Sequence, residues 1–238
     1  MLNLLSLIVP TYNERENIIT LLDGVRAAVR EWPLEIWVVD DDSPDETWRV
    51  VAEYGERYPE VHLIRRLGER GLSSAVITGF CHSRGDLLGV MDADLSHDPA
   101  VLPALVDAVL AGADVAVGSR RVPGGGADVW PWFRRLASNG ATALARWALG
   151  TPLADPMSGY FALRRDVFES VHDRLQPRGY KILLEIVGRA DPLKVVELPY
   201  VFRDRRQGVS KVSPQVAAAY LVSLWALRRA AQARAAPG

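Results

Sequence analysis

The sequence predicts an α/β fold with a mainly parallel, mixed sheet flanked by helices. Two observations carry this. Apolar runs rich in β-branched residues alternate with amphipathic segments, and the runs are nearly unbroken, as strands covered on both faces must be. In chain order they are LSLIVP (5–10), LEIWVVD (34–40), VHLIRR (61–66), LLGVMD (87–92) and DVAVGS (114–119). Amphipathic stretches at 14–31, 45–58, 72–83 and 99–111 fall between them and are read as helices. Asp98 before Pro99 is a start signal for the last of these.

Beyond residue 120 the pattern changes. RRVPGGGADVWP (120–131) is rich in glycine and proline and is read as a mobile loop, and an amphipathic helix follows over 131–149. DPMSGYFALRR (155–165) is a turn and strand, KILLEIVGRA (181–190) a short helix and LKVVELPYVF (193–202) a strand leading into the basic stretch RDRRQGVSK. No internal repeat or low-complexity linker appears. One domain is expected over 1–230, with a nucleotide-binding half (1–120), an acceptor half (121–230) and a frayed tail at 231–238.

The composition narrows the function. A length of 238 residues and 49% hydrophobic content suffice for one well-filled core. A net charge of -1 excludes strong whole-molecule attraction to nucleic acid, so an anionic partner must be held by a local basic cluster. The single cysteine, Cys81, cannot form an intramolecular disulfide, and a reducing compartment is expected. The amino terminus has no basic leader or small-residue cleavage site. The uncharged stretch 212–227 is shorter than the roughly 18 to 20 apolar residues of a membrane span. With Trp225 near its end and Arg228 and Arg229 after it, it can lie on a membrane or pack on the domain.

In parallel α/β sheets, ligands bind beyond the carboxyl ends of the strands. Polar residues cluster there: Thr11 to Glu14, Asp40 to Asp42, Asp92 and Asp94, and Ser119 with Arg120. Two carboxylates about 4 Å apart repel by roughly 4 kcal/mol at an effective dielectric near 20, so something positive belongs between Asp92 and Asp94. A hard divalent ion, Mg²⁺ or Mn²⁺, suits carboxylate oxygens and commonly bridges to a substrate phosphate. Asp98 already serves as the helix cap, which leaves the pair for other work. His97, beside that cap, is read as structural.

The segments IVPTYNERENI, VVDDDSPDET, ERGLSSAVITGF, VMDADLSHDP, VGSRRVPGGG, WPWFRRLAS, DPMSGYFALRR, YKILLEI and RRQGVSK recur in this order from residue 8 to 211. With them the chain resembles the dolichol-phosphate mannose synthase group of glycosyltransferase family 2. The resemblance implies a GT-A, Rossmann-like nucleotide-sugar-binding domain. It implies that Pro10, Tyr12 and Glu14 meet the base and ribose, with Val39 and Asp41 as the opposite wall. Asp92 and Asp94 hold the ion against the donor diphosphate, the backbone at Ala93 passes the ribose, and Ser96 stands where a third ligand is expected. Arg120, Arg205 and Lys211 face the donor, and Arg120, Arg134 and Lys181 the acceptor phosphate. Asp92, Asp94 and Arg120 carry catalysis.

The expected reaction is an inverting, metal-dependent transfer of mannose from GDP-mannose to a polyprenyl (dolichyl) monophosphate. Such an acceptor is already anionic and needs no strong base, which suits a chain without an evident Ser/His/Asp or Cys/His set. The glycine-rich loop is expected to close over the donor. Trp130, Trp132, Phe133 and the Tyr220, Leu221, Leu224, Trp225 face are candidates for the lipid path. The expected location is the cytoplasmic face of a membrane, reached directly or through a separate membrane protein. Two alternatives remain at this point: a GDP- or UDP-linked glucose or other hexose as donor, and a non-catalytic nucleotide or anionic-lipid binder. A dinucleotide-binding dehydrogenase is excluded, because no Gly-X-Gly-X-X-Gly follows the first strand.

Overall fold

The computed structural model describes residues 4–127, 132–150, 153–176, 181–203 and, in a final helical stretch, 220, 222 and 224–229. The first half folds as the alternation requires: β1 (Leu5–Thr11), α1 (Ile18–Ala28), β2 (Leu34–Asp40), α2 (Thr47–Arg57), β3 (Val61–Arg65), α3 (Leu72–His82), β4 (Leu87–Val90), α4 (Leu102–Leu110) and β5 (Val115–Ser119). A 3₁₀ turn, Pro99–Val101, precedes α4, and the Asp98 carboxylate accepts from Ala100 N at 3.0 Å, the expected cap. At α2 the corresponding work falls to Asp45, whose Oδ1 accepts from both Thr47 N and Thr47 Oγ1.

The second half adds β6 (Gly126–Ala127), α5 (Trp132–Leu149), β7 (Phe161–Arg164), α6 (Arg165–Val171), α7 (Ile182–Arg189), β8 (Val195–Pro199) and β9 (Val201–Phe202). Two of its strands, β7 and β8, join the sheet of the first half, and β6 and β9 pair with each other. The main sheet runs β3-β2-β1-β4-β7-β5-β8, with β7 inserted antiparallel between β4 and β5 and every other neighbouring pair parallel. The sequence pattern anticipated a mixed sheet but not this insertion, nor helix α6.

Both sheet faces are buried, which is why the strands read as apolar runs. On one face Leu5, Leu7, Val9, Ile36 and Val38 pack under α1, α2 and α4 through Leu21, Val25, Val51, Leu105 and Val109. On the other, Ile8, Val39, Leu88, Val90 and Phe161 meet α3, α6 and α7 through Val76, Phe80, Phe168 and Ile186. A smaller cluster joins Ala145 of α5 and Leu184 of α7 to Leu224 and Leu227.

The glycine-rich segment is more tied down at its start than its composition suggests. Gly126 N donates to Tyr200 O at 3.1 Å, and β6 pairs with β9 in parallel. Gly125 fits there because a Cβ would lie 2.4 Å from Ser119 O.

Candidate active site

In the order β3-β2-β1-β4 the chain steps outward from β1 on one side and then returns to its other side, so a crevice opens beyond the carboxyl ends of β1 and β4. Tyr12 and Glu14 follow β1, and Asp92 and Asp94 follow β4. The topology therefore brings the two expected halves of the site together. Pro10 and Val39 are register partners on β1 and β2, buried side by side at this rim.

The three consecutive aspartates after β2 have separate fates. Asp40 is fully buried and accepts from Thr11 Oγ1 (2.8 Å), Ser43 N (2.8 Å) and Ser43 Oγ (2.7 Å), so it builds the turn. Asp42 faces outward and pairs with Arg65. Asp41 is held from behind: Arg66 donates to its Oδ1 through Nε at 2.8 Å and through Nη2, and Gly71 N donates to Oδ2 at 2.8 Å. Arg66 itself is buried and was not recognised from sequence, where it read as the charged end of a strand. Tyr12 accepts from Arg70 Nη2 at 2.6 Å, and that guanidinium lies 4.3 Å from the Tyr12 ring centre. Glu14 starts the next turn: its Oε2 accepts from Asn17 Nδ2 at 2.8 Å, and its N–H donates to Thr47 Oγ1 at 3.0 Å.

Asp92 and Asp94 leave the sheet at β4. Asp94 is buried, and Ser96 gives it both a backbone N–H and its hydroxyl proton at Oδ1. Ser96 thus orients the Asp94 carboxylate, a part that the expected third-ligand role did not include. Ala93 is buried in the core between the two acids.

Arg120, directly after β5, is not a loose surface charge. It makes a forked pair with Asp155, Nε to Oδ2 at 2.7 Å and Nη2 to Oδ1 at 2.8 Å, and its own N–H also donates to Oδ2 at 3.2 Å. Burial opposes both charges, but the mutual hydrogen bonds outweigh it: the Asp155 carboxyl lies below its ordinary range and the Arg120 guanidinium above its own. Glu197 of β8 in turn accepts from the backbone N–H groups of Ala154 and Asp155.

The turn 155–160 is the meeting point of the site. Asp155 holds Arg120, Lys181 Nζ donates to Met157 O at 3.3 Å, and Gly159 lies against Asp92. Of the remaining expected residues, Arg134 falls on α5 with its side chain outside the described residues, and Arg205 and Lys211 lie wholly outside them. Of the expected lipid path, Trp130 and Leu221 also lie outside the described residues, as do the side chains of Trp132 and Phe133. Tyr220 and Leu224 turn inward, with Tyr220 Oη donating to Ala141 O at 2.7 Å, whereas Trp225 is exposed.

Among the described residues no group of three or more His, Cys, Asp or Glu side chains could hold an ion by itself. Two carboxylates alone do not make a zinc-type cage. They fit a hard ion that takes its other ligands from diphosphate oxygens and water.

Comparison with known proteins agrees with this architecture. Residues 6–171 match the family model described as Glycosyl transferase family 2. A dolichol-phosphate mannosyltransferase of Pyrococcus furiosus is 47% identical over 226 residues, covering 94% of this chain, and the chain spans 63% of that relative's length. A polyprenol monophosphomannose synthase of Mycolicibacterium smegmatis is 40% identical over 230 residues, 93% of this chain and 86% of that protein. Among solved structures, the mannosyltransferase PcManGT of Pyrobaculum calidifontis, in complex with GDP-Man and Mn²⁺, superposes with a TM-score of 0.62 at 21% identity, over 98% of this chain and 76% of its own. That likeness supports the GT-A fold seen here. With a family model matched over residues 6–171 and relatives at 40–47% identity along most of its length, the chain belongs to glycosyltransferase family 2.

Proposed function

We propose that this chain transfers mannose, with inversion, from GDP-mannose to a polyprenyl monophosphate at a membrane surface. The observation that carries the reading is the placement of Asp92 and Asp94 at the sheet's switch point, with Arg120 held rigidly on the same rim. The names of its relatives at 40–47% identity supply the sugar and the acceptor class.

In this reading Tyr12, Pro10 and Val39 frame the nucleoside, and Asp41, fixed by Arg66, offers carboxylate oxygens to base or ribose donors. Asp92 and Asp94 would hold Mg²⁺ or Mn²⁺ against the diphosphate, and Ser96 keeps Asp94 in position. The ion, when bound, neutralises charge on the leaving diphosphate. Arg120, Arg134 and Lys181 orient the acceptor phosphate, and Arg205 and Lys211 add charge for the donor. An acceptor phosphate oxygen, already anionic near neutral pH, forms a bond to the anomeric carbon as the bond to the diphosphate breaks. The products are a β-linked polyprenyl-phosphate mannose and GDP. No proton has to be removed from the nucleophile, so catalysis rests on orientation and charge.

The test is transfer of labelled sugar from GDP-mannose, GDP-glucose and UDP-glucose into organic-extractable polyprenyl phosphate, with Mg²⁺, Mn²⁺ or a chelator. Label from GDP-mannose alone, lost on chelation, is the expected result. Label chiefly from another donor would replace the sugar, and absence of label from every donor would overturn the reading.

A membrane surface as partner has its own support. No helix among the described residues is long and apolar enough to cross a bilayer. Trp147 and Trp225 are 64% and 61% exposed, and the guanidinium groups of Arg228 and Arg229 lie 3.5 and 4.5 Å from their respective ring centres. Segments 129–150 and 205–238 contain no aspartate or glutamate. Exposed indoles beside arginines, in segments whose sequence carries no acid, suit the headgroup zone of an anionic leaflet. The protein is expected to co-sediment with phosphatidylglycerol vesicles and not with phosphatidylcholine ones, and Trp147→Ser with Trp225→Ser should weaken this about tenfold. Equal binding of the double variant would remove the assignment.

A further inference from the structure

His97 is not needed by the transfer chemistry above, yet it is placed with care. Its side chain is 1% exposed, and its ring is enclosed by Tyr160, Tyr200 and Phe202 at centroid distances of 5.1, 5.3 and 5.9 Å. Nδ1 is buried with no hydrogen-bond partner among the described residues. Nε2 lies 3.4 Å from Asp92 Oδ2. A phenylalanine would fill the same aromatic cage without burying an unpartnered nitrogen, which is costly. What the imidazole provides in return is a donor aimed at one site carboxylate. Gly159 bears on the same carboxylate: a Cβ there would lie 2.5 Å from Asp92 Oδ2, 2.9 Å from Cγ and 3.0 Å from Oδ1.

We propose that His97 and Gly159 are positioning residues that set the Asp92 carboxylate for the donor's metal ion, His97 through an Nε2–H hydrogen bond and Gly159 through the space left by its missing side chain. The carboxylate partner assigns the imidazole proton to Nε2. Outer partners of this kind orient a ligating carboxylate and typically change metal affinity or activity by 10- to 100-fold. The stack of Tyr160 on His97, at an interplanar angle of 28°, ties the ring to the turn that also holds Arg120 through Asp155. One turn therefore governs both the carboxylate and the guanidinium of the site.

The inference rests on the reading of Asp92 and Asp94 as the ion site, so the experiment separates the two. Mn²⁺ binding in the presence of GDP is measured by titration calorimetry for the intact protein and for His97→Phe, His97→Gln, Gly159→Ala and Asp94→Asn. Metal-free melting curves check each fold. Expected are an affinity loss of about 10- to 100-fold in His97→Phe and Gly159→Ala, and recovery to within about threefold in His97→Gln, whose amide nitrogen can take the place of Nε2. If Asp94→Asn loses the ion while His97→Phe and Gly159→Ala keep wild-type affinity, the positioning role is wrong and the ion site stands. If Asp94→Asn keeps the affinity, the ion site fails and the inference fails with it. Should His97→Phe not fold, Gly159→Ala decides, since its histidine is intact and wild-type affinity there overturns the proposal.

Discussion

Asp94→Asn is expected to lower the transfer rate by about three orders of magnitude while leaving the metal-free protein folded. Asparagine keeps an acceptor for the two Ser96 donors that meet Asp94 Oδ1, so the turn after β4 retains its hydrogen bonds. What it removes is one of two negative charges. Metal stabilisation of a leaving group is worth several kcal/mol, and about 4 kcal/mol corresponds to roughly a thousandfold in rate. Initial rates at saturating donor and Mn²⁺, with a thermal melt alongside, check the result. Turnover within tenfold of wild type would remove the charge role. Asp94→Ala is a poorer probe, because the buried Ser96 N–H then loses its acceptor at a cost of about 1–3 kcal/mol.

The second large effect is expected at Asp155. Arg120 and Asp155 are a forked, buried pair with side-chain exposures of 15% and 0%. Removing one partner leaves the other charge buried and uncompensated, which costs about 3–5 kcal/mol. Asp155→Ala should therefore shift the urea midpoint strongly downward and abolish transfer, since Arg120 would no longer be held on the rim. The double variant Asp155→Leu with Arg120→Met should recover much of the stability, because a buried pair can be replaced by apolar groups at little cost, and it should remain inactive. A double variant that regained transfer would rule out any chemical part for Arg120. The same pair predicts an acid limit. The Asp155 carboxyl lies below its ordinary value in the folded state, so its contribution is fully present above the unfolded value near 3.9 and disappears as the pH falls through the lower folded value. Urea midpoints measured from pH 6 down to pH 3 should separate wild type from the double variant chiefly below about pH 4.

What could be read in the chain before folding, and what could not, divides along physical lines. The first half was legible because its signals are local. A strand covered on both faces must be apolar throughout, and its end at the rim must turn polar, so Leu87–Val90 followed by Asp92 and Asp94 announced a strand with an acid pair at its end. The Asp98 cap was legible for the same reason, since a cap acts within a few residues. Arg66 and Asp155 were not. Each does its work on a residue distant in sequence, Arg66 on Asp41 and Asp155 on Arg120, and nothing local distinguishes a buried, paired charge from a solvated one.

By itself the sequence determined the α/β alternation, the family resemblance, the acid pair and most of the residues at the strand ends. Only the tertiary structure decided how the second half completes the site. Because β7 runs antiparallel between β4 and β5, its amino end lies where its neighbours have their carboxyl ends. The turn before it, Asp155 to Tyr160, is thereby carried to the same rim, against Arg120 and Asp92. Strand direction within a sheet is set by pairing and packing between distant segments, and no periodicity along the chain encodes it.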